Sequence, residues 1–233
     1  MPSKKAKTFT VLAHRGARGH APENTPAAFA KAVELGAPWV ELDVQLHADR
    51  LWVFHDQRLE RCTDGTGWLV DHTAAALRAL DAGGGEKIPF LREVLHHLRG
   101  RVNLNVELKT GDGTAAAVAT ALRAAFAHGW KPEQFLVSSF HLPELRDFKR
   151  RLPEVPLGVL LCGVPLNLAA AATELGAQAV SLDRDFADPA LIADAQARGM
   201  KVFVFTVNER EDIARYRAAG LDGVFTDFPE RAP

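Results

Sequence analysis

Short apolar runs alternate along this sequence with longer, alanine-rich segments that have helical periodicity. The nine extended runs cover residues 9–14, 39–43, 51–55, 102–108, 135–140, 156–161, 179–182, 201–206 and 223–226. Intervening segments such as TPAAFAKAVELG and DPALIADAQARG close on a glycine, which is typical of a helix C-terminus. Regular alternation of strand and helix predicts an α/β protein whose strands lie parallel.

The run 51–55 does not fit as a further parallel strand. Only seven residues separate it from the run 39–43, whereas a parallel crossover needs about a dozen residues or more. We therefore predict a return hairpin that turns at HADR and brings His55 back to the same edge. The other eight runs fit a (β/α)8 TIM barrel, whose functional sites lie at the C-terminal ends of the strands. A doubly wound open sheet is the alternative, but no glycine-rich dinucleotide fingerprint follows the first run.

The length of the chain favours one domain. With 233 residues and 47% apolar composition, the chain can bury a full core and has the usual size of a single α/β barrel. We predict one domain over residues 1–233. The stretch from about 57 to 87 is predicted to be a short cap insertion after the second strand and its hairpin, lying over the first half of the site.

Charge and hydropathy exclude several classes of partner. A formal net charge of -1 gives no broad attraction to nucleic acid or anionic membrane. Positive side chains at the site itself must therefore bind any anionic ligand. No apolar run approaches the ~20 residues of a membrane span, and no apolar segment follows the N-terminal lysines. We therefore expect no nucleic acid partner, no stable membrane insertion and a cytoplasmic location. The two cysteines are far apart and lack metal-ligand spacing.

Charged and polar residues stand at the predicted strand ends, inside otherwise apolar runs. The residues are His14, Arg15, Glu41, Asp43, His55, Glu107 and Lys109. Residues two apart in a strand point to the same face, so three carboxylates converge if that face is the barrel mouth. Surface ion pairs and hydrogen-bonded histidines are the ordinary explanations for each residue alone. Charges inside apolar runs are costly, however, unless they are paired or coordinate a metal.

Three converging carboxylates repel one another unless a cation lies between them. Oxygen-only ligation suits Mg²⁺ or Ca²⁺ better than zinc, which favours nitrogen and sulfur ligands. A pair of carboxylates doing acid and base work, as in glycosidases, is the alternative. The nearby Arg15 and Lys109 favour a phosphate substrate that bridges to a metal, because fixed cations bind phosphate and glycosidases do not need them.

Several motifs together carry a family resemblance. The stretch AHRGARGHAPENTPAAFAKAVELGAPWVELDVQLHADRLWVFHD, followed by LERCTDGTGWL, VELK, SSF, FTVN and GVFTDFPE, resembles the glycerophosphodiester phosphodiesterases of bacteria. The resemblance spans almost the whole chain. It implies a (β/α)8 barrel that hydrolyses glycerophosphodiesters, such as glycerophosphocholine or glycerophosphoethanolamine, to glycerol 3-phosphate and an alcohol. It also implies one divalent cation, Mg²⁺ or Ca²⁺.

The resemblance also implies roles for eleven residues. His14 and His55 correspond to the general acid and base. The implied metal ligands are Glu41, Asp43 and Glu107. The implied phosphate-binding residues are Arg15 and Lys109, those lining the glycerol side are Phe140 and Phe205, and those bracing the PENT turn are Glu23 and Asn24. Many relatives have tryptophan where this chain has Phe205.

Two other functions remain as alternatives. A lysophospholipase D-type phosphodiesterase would use the same histidines and metal ligands on a substrate with a lipid tail. A non-catalytic phosphodiester-binding barrel would keep Arg15 and Lys109 but has little use for two histidines and three carboxylates. The sequence leaves open which alcohol is released, which histidine is the acid, and whether water or the substrate's own hydroxyl attacks.

Overall fold

The computed structural model describes residues 8–111 and 113–232, which form a closed parallel barrel with helices outside it. The strands are β1 (Thr10–Ala13), β2 (Trp39–His47), β3 (Arg50–Val53), β4 (Asn103–Leu108), β5 (Phe135–Ser139), β6 (Leu157–Leu161), β7 (Ala179–Asp183), β8 (Lys201–Phe205) and β9 (Gly223–Thr226). The α-helices are α1 (Pro26–Glu34), α2 (Ala74–Ala79), α3 (Leu91–Leu98), α4 (Thr114–Phe126), α5 (Leu142–Arg151), α6 (Ala170–Glu174), α7 (Pro189–Ala197) and α8 (Arg210–Ala218). Short 3-10 helices cover Leu69–Asp71, Pro132–Gln134, Arg184–Phe186 and Pro229–Arg231.

Eight of the strands form the barrel that the sequence predicts. Their order is β1, β9, β8, β7, β6, β5, β4 and β2, all parallel, and a further pairing between β1 and β2 closes the ring. The N-terminal part of the interior is filled by side chains, with Leu12, Leu136, Phe203 and Phe225 packed together. The barrel interior is therefore a packed core, and the functional sites of such barrels lie at the C-terminal ends of the strands.

The hairpin prediction is confirmed. Strand β3 pairs antiparallel with the second half of β2, from Val44 opposite Val53 to His47 opposite Arg50. The turn lies at Ala48 and Asp49, as HADR indicates, and both have positive φ, which is typical of a two-residue hairpin turn. Strand β2 runs four residues beyond its predicted end at 43, because β3 supplies hydrogen-bond partners there.

Helix α1 shows how the sequence sets a boundary. Thr25 has extended backbone angles and its hydroxyl accepts a hydrogen bond from the amide of Ala28, while Pro26 takes the first helical position. Phe29 is fully buried against the barrel, a burial that contributes roughly 1.5–3 kcal/mol. These contacts fix where the loop after β1 ends, and that loop carries several of the predicted site residues.

The segment between β3 and α3 packs around a small apolar cluster of its own. Leu59, Leu69 and Leu77 are fully or almost fully buried, and they pack on Trp52 and Phe54 from the hairpin. We call residues 57–87 the cap, since they follow β3 at the C-terminal edge of the barrel. No helix among the described residues is long and apolar enough to cross a membrane.

Candidate active site

The loop after β1 is tied directly to the carboxylates of β2. The amide of Arg15 donates to Glu41 Oε2 at 2.7 Å, and the side-chain amide of Asn24 donates to Asp43 Oδ2 at 2.8 Å. The backbone amide of Asp43 donates in return to Asn24 Oδ1. Arg15 and Asn24 both adopt positive φ, which non-glycine residues rarely do. The PENT turn thus holds the loop against the second strand, in the bracing position predicted for Asn24.

Glu41, Asp43 and Glu107 come together as the sequence predicts. Glu41 and Asp43 lie two apart on β2 and share a face, and Asp43 is the register partner of Glu107 on β4. One carboxylate oxygen from each lies within 4.8 Å of the others, and all three side chains are largely buried. This group of three residues is called the carboxylate triad below.

The triad fits a hard divalent cation. Within the described residues, Glu41 Oε1 and Asp43 Oδ1 are buried and accept no hydrogen bond. A buried carboxylate oxygen without a donor is unfavourable, and oxygen ligands at this spacing are what Mg²⁺ and Ca²⁺ take. The residues present could therefore hold one such ion between them.

Burial and mutual repulsion raise the pKa values of two carboxyl groups of the triad, while nearby cations lower that of the third. Burial, with the charges of Asp43 and Glu107, raises the pKa of Glu41 well above its ordinary value. Burial and the charge of Asp43 raise the pKa of Glu107 to about 7, against the opposing effect of Lys109. For Asp43, burial also opposes ionisation, but Arg15, His55 and Lys109 together hold its pKa below the ordinary value.

Two cations flank the triad. Lys109 Nζ lies 2.7 Å from Glu107 Oε1 and 3.7 Å from Asp43 Oδ1. Arg15 donates to Glu23 Oε1 at 2.6 Å, and its Nε lies 3.3 Å from Asp43 Oδ2. Both side chains are mostly buried, yet the neighbouring carboxylates raise the pKa of each above its ordinary value. Both positive charges are therefore fixed at neutral pH beside the carboxylate triad.

Both predicted histidines are paired with an aspartate through Nδ1. His14 Nδ1 lies 2.8 Å from Asp227 Oδ1, and His55 Nδ1 bonds Asp56 Oδ1. Although burial opposes it, the bond to His14 lowers the pKa of Asp227 to about 2. An ionised carboxylate only accepts, so each aspartate accepts a hydrogen bond from Nδ1–H and leaves Nε2 as the basic nitrogen. Burial lowers the pKa of both imidazoles, so both are neutral near pH 7.

Comparison with known proteins agrees with this geometry. A family model described as the glycerophosphoryl diester phosphodiesterase family matches residues 14–231. The chain belongs to the glycerophosphoryl diester phosphodiesterase family. It is 38% identical over 234 residues to the glycerophosphodiester phosphodiesterase of Caldanaerobacter subterraneus subsp. tengcongensis, with 94% of each chain covered. A Bacillus altitudinis enzyme of the same name is 34% identical, with 95% of this chain and 96% of the relative covered.

Solved structures of relatives show the same barrel. A phosphodiesterase from Oleispira antarctica, determined in complex with its product sn-glycerol-3-phosphate, superposes with a TM-score of 0.88 at 33% identity, covering 96% of this chain and 95% of that one. A protein from Silicibacter pomeroyi, described as a putative glycerophosphoryl diester phosphodiesterase, superposes with a TM-score of 0.86 at 28% identity. The superposition covers 97% of this chain and 92% of that one. As a member of this family the chain is a phosphoric diester hydrolase.

The two phenylalanines predicted to line the glycerol side lie side by side. The rings of Phe140 and Phe205 meet edge to face with centroids 5.8 Å apart. Lys109 Nζ lies 5.9 Å from the centroid of Phe140. These contacts connect an apolar wall to the cationic side of the site.

Sequence reasoning missed several polar partners of the predicted residues. Asp227, which orients His14, also forms an ion pair with Arg18, whose Nε lies 2.7 Å away, and accepts a hydrogen bond from Asn208 Nδ2 at 2.8 Å. Asp227 directly follows β9 in the FTDFPE motif, so the rule that selected the other strand-end residues would have found it. Asn208 is the polar residue of the FTVN motif after β8.

Gly16 explains why the loop can leave β1 so sharply. Its φ is +79°, and a Cβ there would lie 2.6 Å from the carbonyl carbon of Ala28 in α1. Gly36 has a similar φ of +77° but open space around it. We expect Gly36→Ala to lower the free energy of unfolding by about 1–2 kcal/mol through backbone strain alone. Gly16→Ala should lower the free energy of unfolding by about 1–3 kcal/mol more than Gly36→Ala does, because the overlap with Ala28 forces helix α1 away. Urea unfolding of both variants measures the difference, and equal losses would contradict it.

The triad predicts how pH affects the stability of the cation-free protein. Glu107 changes its pKa from an ordinary 4.5 to about 7 on folding, so the folded chain binds the proton more tightly. Stability should therefore fall as pH rises from about 5 to 8, by roughly 3 kcal/mol from this group. Glu107→Gln should remove this part of the slope in unfolding curves recorded with chelator. If the unfolding free energies of the wild type and Glu107→Gln fell equally between about pH 5 and 8, Glu107 would not be the group responsible.

Proposed function

We propose that this chain hydrolyses glycerophosphodiesters, such as glycerophosphocholine and glycerophosphoethanolamine, to glycerol 3-phosphate and an alcohol, using one divalent cation, Mg²⁺ or Ca²⁺. The observation that carries the proposal is a buried carboxylate triad set between two fixed cations and two aspartate-paired histidines. A phosphodiester anion requires positive charge to be bound and proton carriers to be cleaved, and this set supplies both. The proposed working unit is one domain, the barrel with its cap.

Charge neutralisation is the first task of the site. A phosphodiester repels nucleophiles because it is an anion, so Arg15 and Lys109 would hold its non-bridging oxygens and stabilise the added charge of the transition state. A cation held by Glu41, Asp43 and Glu107 would add Lewis-acid polarisation of a phosphoryl oxygen. In the free protein both basic side chains are bonded to carboxylates, which keeps them oriented before the substrate arrives.

Proton transfer is the second task, and we assign it to His14 and His55. One imidazole would take the proton of the attacking oxygen at Nε2, and the other would protonate the leaving alkoxide. Positioned groups of this kind typically contribute ~10²–10⁴-fold each. The aspartates fix the tautomer and stabilise the imidazolium that forms. The attacking oxygen is water or the substrate's own glycerol hydroxyl, and detection of a cyclic phosphate in rapid-quench samples would identify the second route.

One observation favours a lysophospholipid as a second candidate substrate. Four exposed large apolar side chains lie in the segments that follow β5, β6 and β7, on the same side of the barrel mouth: Phe140, Val164, Leu166 and Phe186. Exposed apolar groups near a binding site are typical of surfaces that meet lipid or apolar ligands. A tail attached to the glycerol could lie along this side, beyond Phe140 and Phe205.

Product release with and without a cation tests the proposal. The purified protein is incubated with glycerophosphocholine or lysophosphatidylcholine, with chelator, and then with Mg²⁺ or Ca²⁺ added back. Release of glycerol 3-phosphate that stops with chelator and returns with either ion supports the proposal. Choline release from the lysolipid with no reaction of glycerophosphocholine would favour the second candidate. No release from either under both ions contradicts both and leaves a binding barrel. The proposed setting is the cytoplasm, with a small molecule and no nucleic acid as partner.

A further inference from the structure

Arg61, a residue of the cap, bonds two carboxylates that belong to different parts of the site. Its Nε and Nη2 donate to Asp56 Oδ2 and Oδ1 at 2.6 and 2.9 Å. Its Nη1 and Nη2 donate to Glu23 Oε2 and Oε1 at 2.8 and 2.7 Å. The guanidinium therefore binds both oxygens of both carboxylates, which is the strongest geometry that arginine offers.

Each of these carboxylates bonds a residue with a proposed role in the reaction. Asp56 accepts from Nδ1 of His55, and Glu23 accepts from Nη1 of Arg15 at 2.6 Å. Arg61 is thus linked through Asp56 to a proposed proton-transfer residue and through Glu23 to a proposed phosphate-binding residue. The cap reaches the barrel site through this side chain.

We propose that Arg61 is a positioning residue for both halves of the reaction, a role that rests on the proposed function of His55 and Arg15. By fixing the Asp56 carboxylate, it keeps His55 in the Nδ1–H tautomer, with Nε2 free for proton transfer. By fixing Glu23, it keeps the Arg15 guanidinium in place beside the triad. Without Arg61, both carboxylates gain rotational freedom, and the bonds to His55 and Arg15 loosen together.

Arginine is required here for geometric reasons. Its planar fork supplies the donors for two bidentate bonds at once, whereas lysine offers a single point of charge. Glu23 is mostly buried, with 13% of its side chain exposed, while Arg61 is 46% exposed. Removing Arg61 takes two donors from this mostly buried carboxylate, so some loss of stability is expected whatever its role. A purely structural role for Arg61 therefore predicts a loss of stability with no change in kcat or in the tautomer of His55.

The cap provides a matched control. Arg58 is also an exposed arginine of the cap, but it pairs with Glu60 and lies over the ring of Trp68 instead of reaching the site. Arg58→Met removes the same charge and the same number of donors three residues away. We expect it to leave kcat and KM close to those of the wild type.

Steady-state kinetics of glycerophosphocholine hydrolysis test the proposal. We expect Arg61→Met to lower kcat about 10–100-fold, the range found when a group that orients a functional side chain is removed, and to raise KM several-fold through Arg15. Arg61→Lys should recover only part of kcat. The double variant with Asp56→Asn should lose little more kcat than Asp56→Asn alone, because both changes break one path to His55. Additive losses in kcat would overturn the proposal, as would kinetics for Arg61→Met equal to those of Arg58→Met.

A second measurement does not depend on activity. In ¹⁵N spectra of the histidine side chains, His55 should be almost wholly the Nδ1–H tautomer in the wild type and in Arg58→Met, and a mixture in Arg61→Met. An unchanged His55 tautomer in Arg61→Met would contradict the link through Asp56. If the wild type releases no product but the tautomer shifts as expected, the proposed function fails while the positioning of His55 stands.

Discussion

His14→Ala and His55→Ala should each lower kcat for glycerophosphodiester hydrolysis by about 10²–10⁴-fold while the chain still folds. Each imidazole is bonded through Nδ1 to an ionised aspartate, so Nε2 is the nitrogen that exchanges protons with the substrate. Alanine removes this nitrogen entirely. Each histidine lies at the edge of the barrel, outside the apolar core, so the unfolding free energy should change far less than the rate.

His20→Ala is the matched control for these two variants. His20 lies in the same loop as His14, but its Nε2 bonds Glu230 at 3.1 Å, and its ring packs edge to face on Phe228. We expect this variant to retain nearly wild-type kcat. Near-wild-type turnover in His14→Ala or His55→Ala would remove that histidine from the mechanism, and a comparable loss in His20→Ala would show that the loop is merely sensitive to truncation.

Glu41→Gln should weaken cation binding and lower turnover together. Glutamine can still accept the bond from the Arg15 amide through its carbonyl oxygen, so the loop should remain in place. The variant loses one of three charges and gains an NH₂ group where an unpaired oxygen lay, which opposes a cation directly. We expect the calorimetric affinity for Mg²⁺ or Ca²⁺ to fall at least about tenfold to a hundredfold and product release to fall in parallel.

The same substitution should change stability in the opposite sense. Burial beside Asp43 and Glu107 raises the pKa of Glu41 well above its ordinary value. In the cation-free protein at neutral pH, folding must therefore bury its charge or take up a proton, a cost that glutamine does not carry. We expect Glu41→Gln to be more stable than the wild type in chelator and to gain no stability when the cation is added. Glu144→Gln is the control, since Glu144 is a buried carboxylate that also accepts a backbone amide bond, from Ala115. Unchanged cation affinity in Glu41→Gln would exclude the triad as the ligand set.

The sequence predicted the barrel because its signals are local and repeated. Eight short apolar runs, separated by helical segments, leave few other arrangements, and the short spacing before run 51–55 identified the hairpin. The end of β2 was wrong by four residues, because its extension depends on pairing with β3, a contact that periodicity does not reveal.

The site was predictable where strand ends carry charge, and much less so where contacts join distant segments. Glu41, Asp43 and Glu107 follow from strand alternation and parallel register alone. The strand-end rule could also have selected Asp227, but not its contact with His14, because the two residues lie 213 positions apart and are brought together only when the ring closes. Arg61 gave no signal of its own, since a single arginine in a polar stretch is ordinarily a solvated surface residue.

Ring closure between β1 and β9 has a consequence for how the chain becomes active during synthesis. The first strand pairs with the last along its full length, from Thr10 opposite Gly223 to Ala13 opposite Thr226. A nascent chain on the ribosome can therefore form helices and strand pairs early, but His14 has neither its aspartate nor one of its neighbouring strands until β9 has emerged. Activity should appear late and abruptly in translation, and chains released before β9 is made should be inactive whatever catalytic residues they already contain.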